Sequence, residues 1–284
     1  MKAEMLLHIP GTQLGEGPVW MADTGRLHWV DIERGLLHST HLETLQTETR
    51  EIGQMVGAAV PCDDGRWLLA MANGLAFYDW TSRQLELVSD PEADLPDNRF
   101  NDGKCDPQGR LWAGTMRREE PRPAVAAFYR MDTSRRVQKM LDGVKLSNGL
   151  AWNAAGDKLF YNDTGQNSTF VFDFDAETGT ISNQQTLHVE KNWNPDGMCI
   201  DLEDRLWIAC YGAGEIQCFD STTGNKLAVI ATPAPCPTSC CFGGPNLDQL
   251  YITSAQDGED SDGGGLFIAQ PETQGRPVTL FKTR

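Results

Sequence analysis

Residues 202–211, LEDRLWIACY, join a polar turn to an apolar strand, and the chain writes this pairing six times. The counterparts are DTGRLHWVDI (23–32), DDGRWLLAMA (63–72), PQGRLWAGTM (107–116), AAGDKLFYND (154–163) and NLDQLYITSA (246–255). Aligned on Arg26, Arg66, Arg110, Lys158, Arg205 and Gln249, they are spaced by 40, 44, 48, 47 and 44 residues. A second strand follows each one, as in GLAFYDWTSRQ (74–84) and GEIQCFDSTTG (214–224). Period-two alternation with Gly, Asp and Asn at the turns predicts strands, and no segment sustains an apolar period of 3.6. Repeats of roughly 45 residues with about four strands each predict an all-β, six-bladed β-propeller. One blade cannot bury both of its faces, whereas six around an axis bury them all. A β-sandwich is the competing architecture, but sandwiches do not repeat at this period. No linker interrupts the pattern, so residues 1–284 are expected to form one propeller domain.

The repeat phase exposes a second pattern. Ten residues before Arg26 sits Glu16, and ten before Lys158 sits Asn148; nine before Arg110 and Arg205 sit Asn101 and Asp196. The two remaining repeats place Gly57 and Ser239 at this position. In a propeller the first strand of each blade lines the central channel, so these positions form a ring. Two carboxylates and two carboxamides converging at a channel mouth repel one another unless a cation neutralises them. Oxygen donors suit a hard ion such as Ca²⁺, Mg²⁺ or Mn²⁺. The competing explanation is that Asn-Gly and Asp-Gly are ordinary turn dipeptides; for Asp196 both are expected, a turn position and a working carboxylate. That explanation does not extend to Glu16.

The net charge of −16, from 40 acids and 24 bases, repels phosphate backbones and anionic membrane surfaces. Nucleic acid and membranes are therefore not expected partners, and a small uncharged molecule or a cation is. No apolar run approaches the ~20 residues of a membrane span. MKAEMLLHIPGTQ lacks a secretory apolar region, and the eight cysteines form no CxxC pair. Reduced, buried thiols in a cytoplasmic protein are the expectation. The five histidines show no HxH or HExxH spacing, and there is no GxSxG elbow or Gly-rich phosphate loop. Arg99, two residues before Asn101, should share the channel end. The irregular loop TMRREEPRPAV (115–125) offers Glu119 or Glu120 as a lid residue, and Trp193 is a candidate for the mouth.

LGEGPVW, RFNDGKCDPQGRLWAGTM, LSNGLAW, PDGMCIDLEDRLWIACYG and TSCCFGG resemble, in order, the motifs of the family that includes regucalcin (senescence marker protein), gluconolactonase and the luciferin-regenerating enzyme. The resemblance covers nearly the whole chain. It implies a six-bladed propeller holding one divalent metal, with Glu16, Asn148 and Asp196 as ligands. Ca²⁺ is the first expectation and Zn²⁺, Mn²⁺, Mg²⁺ or Fe²⁺ the alternatives. It implies that Arg99, Asn101 and Glu119 bind substrate hydroxyls, and that the activity is hydrolysis of a sugar lactone by a monomer or weak homo-oligomer. Arg117 and Arg118 depart from this resemblance, which implies a less charged loop. The expected mechanism is carbonyl polarisation by the metal with Asp196 as general base. The competing functions are a calcium-binding regulatory protein without catalysis, a metal-dependent esterase or phosphotriesterase, and a scaffold propeller.

Overall fold

Each repeated turn-and-strand segment forms the second strand of a four-stranded antiparallel sheet, and six such sheets make a β-propeller. The structure, a computed structural model, describes residues 1–258 and 262–284. Numbering strands in chain order, the innermost strands are β2 (Gly15–Met21), β6 (Val56–Pro61), β10 (Asn98–Cys105), β14 (Ser147–Trp152), β18 (Asn194–Ile200) and β22 (Pro237–Gly243). Blades one to five run outward in sequence order. Blade six is β22, β23 (Gln249–Ser254) and β24 (Gly265–Ala269), completed by β1 (Glu4–His8) from the N-terminus. That pairing closes the ring: the first segment of the chain supplies the outer edge of the last blade.

The apolar residues of the repeats collect into six clusters, each lying between neighbouring blades. Between blades two and three, for example, Val60, Leu68 and Phe77 meet Phe100, Leu111 and Tyr129. Period-two alternation therefore gives each sheet two buried faces, and the exposed polar residues fall on turns and outer strands such as Thr47–Glu51.

Blades three and five share a clamp at the foot of the innermost strand. Asp106 is fully buried; it accepts from the backbone of Gln108 and Arg110, from Arg110 Nε at 2.6 Å and from Trp112 Nε1 at 3.0 Å. Asp201 repeats the arrangement with Glu203, Arg205 and Trp207 Nε1. The spacing Asp-x3-Arg-x-Trp encodes it, since one carboxylate faces two backbone N–H groups of the turn and two side-chain donors.

The Asp-Gly at 196–197 is not a turn, contrary to the turn explanation. Both residues lie inside β18, where the register to its neighbour shifts between Pro195 and Met198. All six innermost strands carry such an irregularity at or across the ring position. A bulge re-aims a side chain that regular pleating would point elsewhere. Glycine follows Asn148 and Asp196 because the next blade is close. A Cβ on Gly149 would lie 2.6 Å from both Asp196 O and Met198 N, and one on Gly197 would lie 2.2 Å from Ser239 Oγ. Gly149→Ala is expected to cost about 2–3 kcal/mol, because backbone rather than a flexible side chain must yield. A chemical-denaturation midpoint equal to that of the wild type would refute this close packing.

Candidate metal centre and substrate mouth

Glu16, Asn101, Asn148 and Asp196 stand on four different innermost strands and are 4%, 5%, 3% and 7% exposed, so all four polar groups are withdrawn from solvent. With the buried Arg99 they line a cavity of about 590 Å³ at one end of the channel. Its rim adds Glu33, Arg118, Glu120, Arg122, Lys145 and Tyr211. Glu120 lines this cavity and Glu119, although exposed, does not. Glu120 is held by Arg122, its Oε1 lying 2.5 Å from Nη1. Trp193 is not at the mouth: it packs with Phe219 and His188 between blades four and five.

Hydrogen bonding sorts the ring into two sides. Asn148 donates from Nδ2 to Thr164 Oγ1 at 3.0 Å, leaving its Oδ1 buried with no donor. Asp196 Oδ1 is likewise buried and unpartnered. Glu16 Oε2 accepts only from the adjacent Gly17 N–H. Asn148 Oδ1 and Asp196 Oδ1 thus have no protein donor and Glu16 Oε2 has only its neighbour's N–H, an arrangement that fits a hard cation. Asn101 is different. Its Oδ1 accepts from Arg99 Nη1 at 2.6 Å and its Nδ2 donates to Ser147 O at 2.8 Å, while Arg99 Nε is left unpartnered. This side offers N–H groups to a ligand rather than oxygens to a metal. Among the described residues no group of three or more His, Cys, Asp or Glu side chains could hold a metal. The set here is two carboxylates and a carboxamide.

A third carboxylate was not legible in the ring pattern. Asp102 is 3% exposed and its Oδ2 has no partner; it lines a separate cavity of about 320 Å³ together with Lys104, Trp20 and Trp152. Burial, and then the charges of Asp196 and Asp102, raise the Glu16 carboxyl well above the usual range. Burial and then Asp102 raise Asp196. Burial raises Asp102 itself, against the opposing pull of Lys104. Burial lowers the Arg99 guanidinium to about 10. Each of the three carboxyls is raised chiefly by its own burial, and a cation near Glu16 and Asp196 would offset that cost.

Metal affinity should therefore fall as pH is lowered, because the cation must displace protons that Glu16 and Asp196 retain where an ordinary carboxylate has already ionised. Calorimetry of Ca²⁺ binding in buffers of different ionisation enthalpy should show proton release on binding. Release of no protons near neutrality would contradict the raised carboxyls.

Two positioning residues were also missed. Asp31, at the end of β3 (Arg26–Asp31), accepts from Gln13 N and Leu14 N just before Glu16. Asp163, at the end of β15 (Lys158–Asp163), accepts from Lys145 N and Leu146 N just before Asn148. The repeat signal was present, since WVD and YND end the second strands of blades one and four. Each carboxylate pins the segment that delivers a candidate ligand.

Relatives share this frame. Residues 14–256 match the family described as SMP-30/Gluconolactonase/LRE-like region. Regucalcin of Danio rerio is 38% identical over 263 residues, spanning 92% of this chain and 88% of its own length. A luciferin-regenerating enzyme superposes with a TM-score of 0.93 at 28% identity, covering 99% of both chains. Regucalcin from Agrobacterium tumefaciens, described as a calcium-binding protein, superposes with a TM-score of 0.92 at 28% identity, covering 99% of this chain and 97% of its own. A six-bladed ring of this register, matched from blade one into blade six, places the chain in the SMP-30/gluconolactonase/LRE-like family.

Proposed function

We propose that this protein hydrolyses a sugar lactone with a divalent cation held by Glu16, Asn148 and Asp196. The observation that carries the reading is the buried, donor-free oxygens of Asn148 and Asp196, with the buried Glu16 carboxyl beside them in a polar cavity, next to the N–H groups of Arg99 and Asn101. The cation, when bound, would supply Lewis-acid polarisation of the ring carbonyl and neutralise the carboxylates. Arg99 Nε, lacking a protein partner, would donate to a sugar hydroxyl, and Asn101 would exchange its bond to Arg99 for one to substrate. Glu120, tethered by Arg122, takes the lid position that the motif resemblance gave to Glu119. Asp196 would accept a proton from water as its oxygen attacks the carbonyl carbon, and that proton would then reach the departing ring oxygen, giving the open hydroxy acid. Its raised basicity in the free channel suits proton uptake, and the cation would moderate it.

The second reading, a calcium-binding protein without catalysis, is favoured by the description of the Agrobacterium relative. One experiment separates the two: proton release at constant pH from chelator-stripped protein offered a panel of aldonolactones, with Ca²⁺, Mg²⁺, Mn²⁺, Zn²⁺ and Fe²⁺ restored singly. Metal-dependent turnover of particular lactones supports the lactonase. Tight Ca²⁺ binding with no acceleration over spontaneous hydrolysis supports the binding protein.

A further inference from the structure

The acidic excess of the chain is absent from this cavity, where four acids, Glu16, Glu33, Glu120 and Asp196, meet four bases. Arg99, Arg118, Arg122 and Lys145 line the cavity, and two of them are compensated. Arg122 pairs with Glu120 at 2.5 Å, and Glu33 is the largest favourable charge acting on Arg99. Arg118 donates only to backbone carbonyls, to Pro96 O at 2.8 Å and Asp97 O at 3.4 Å, which aim the guanidinium without neutralising it. The carboxylate of Asp97 is engaged by Arg117. The Lys145 ammonium has no hydrogen-bond or ion-pair partner among the described residues.

The fold brings these two cations to one cavity. An antiparallel bridge joins Met116, at the end of blade three's second strand, to Leu146, just before blade four. Arg118 follows the first by two residues and Lys145 precedes the second by one, so both stand on the same stretch of rim. Room is made for the lysine stem: a Cβ on Gly165, another cavity residue, would lie 2.4 Å from Lys145 Cβ. Arg118 and Arg122 also repel the buried Arg99, an arrangement that an anion among them would relieve. With a divalent cation balancing Glu16 and Asp196, the Arg118 and Lys145 charges remain uncompensated on the rim.

We infer that the lactone this site accepts carries an anionic oxyacid group, a carboxylate or a phosphate, on the carbon remote from the ring carbonyl, and that Arg118 and Lys145 bind it. This rests on the lactonase reading. A neutral sugar hydroxyl satisfies N–H donors but leaves adjacent cations uncompensated, whereas an oxyanion satisfies both. The substrate class is therefore the monolactone of an aldaric acid or a terminally phosphorylated aldonolactone, in preference to a plain aldonolactone.

The test compares three lactones of one stereochemical series, bearing a terminal hydroxyl, carboxylate or phosphate, at low and high salt, in the wild type, Arg118→Gln and Lys145→Gln. The expected result is a KM roughly tenfold to hundredfold lower for an anionic lactone, the size of one or two charge-assisted contacts. That advantage should shrink with salt and contract in each variant. Whichever of carboxylate and phosphate gains more identifies the anion. A parallel readout needs no turnover: calorimetric binding of the open-chain aldarate, aldonate and phosphoaldonate, where the two acids with a second anionic group should bind more tightly than the aldonate. Equal KM values for neutral and anionic lactones, or a preference indifferent to salt and to both variants, would overturn the inference and leave the lactonase standing. Hydrolysis of none of the three, with any metal, would overturn the lactonase, and equal binding of aldarate and aldonate would then overturn the anion site as well.

Discussion

Asp196→Ala is expected to lower lactone kcat/KM by roughly 10³-fold or more, since it removes both a candidate metal ligand and the candidate base. Asp196→Asn keeps an oxygen for the cation but no longer accepts a proton, so metal should still bind while turnover stays low. Asp196→Asn with full metal content and near-wild-type rate would eliminate Asp196 as the base. The same substitutions carry a stability signature that an ordinary core residue would not show. In the metal-free protein the Asp196 carboxyl is raised by burial and by Asp102. An acid whose folded pKa lies above its unfolded one loses stability as pH rises from the unfolded value through the folded one. Metal-free Asp196→Asn should thus melt higher than the metal-free wild type at neutral pH, and the gap should close towards acid pH. A lower melting point at neutral pH would mean that the carboxylate stabilises the empty channel, against the geometry of its unpartnered Oδ1.

Asp106→Ala should be the most damaging single change to the fold outside the channel, costing about 3–5 kcal/mol. It strands the buried Arg110 and the Trp112 N–H and unties the turn that joins the first two strands of blade three. Urea unfolding measures the loss. Asp201→Ala, with the same partners in blade five but a more exposed arginine, should cost less. Equal or reversed losses would show that burial of the ion pair does not set the energy of the clamp. Because β10 and β18 carry Asn101 and Asp196, both changes should also loosen the site.

The ring of oxygen donors was readable from the chain because propeller repeats convert sequence phase into angular position around an axis. Glu16, Asn101, Asn148 and Asp196 needed only a count back from each turn, and Gly57 and Ser239 fell out as the members with neither a carboxylate nor a carboxamide. The lid was less legible. Residues 117–123 follow no repeat, so spacing gives no angular position, and only the folded loop puts Glu120 rather than Glu119 against the cavity. Asp102 escaped because it stands one residue after the ring position, where blades four and five have Gly149 and Gly197; in a bulged strand, adjacent residues leave the regular in-out alternation.

What the sequence by itself determined was whatever is periodic: strands rather than helices, six blades, two apolar faces per sheet, and the polar identity of the channel position. Burial free energy depends on that pattern, and the pattern is written locally in each repeat. What only the tertiary structure decided is whatever depends on distance between repeats. The N-terminal strand completes blade six, an edge no local signal specifies. The Gly after Asn148 and after Asp196 is explained by the close approach of the next blade rather than by a turn, and Gly17 by its positive φ of 52°. The division of ring oxygens into unpartnered acceptors at Asn148 and Asp196 and an Arg99-bound acceptor at Asn101 arises from side chains meeting across blades. Those meetings are set by how the sheets pack around the axis, and no single repeat contains them.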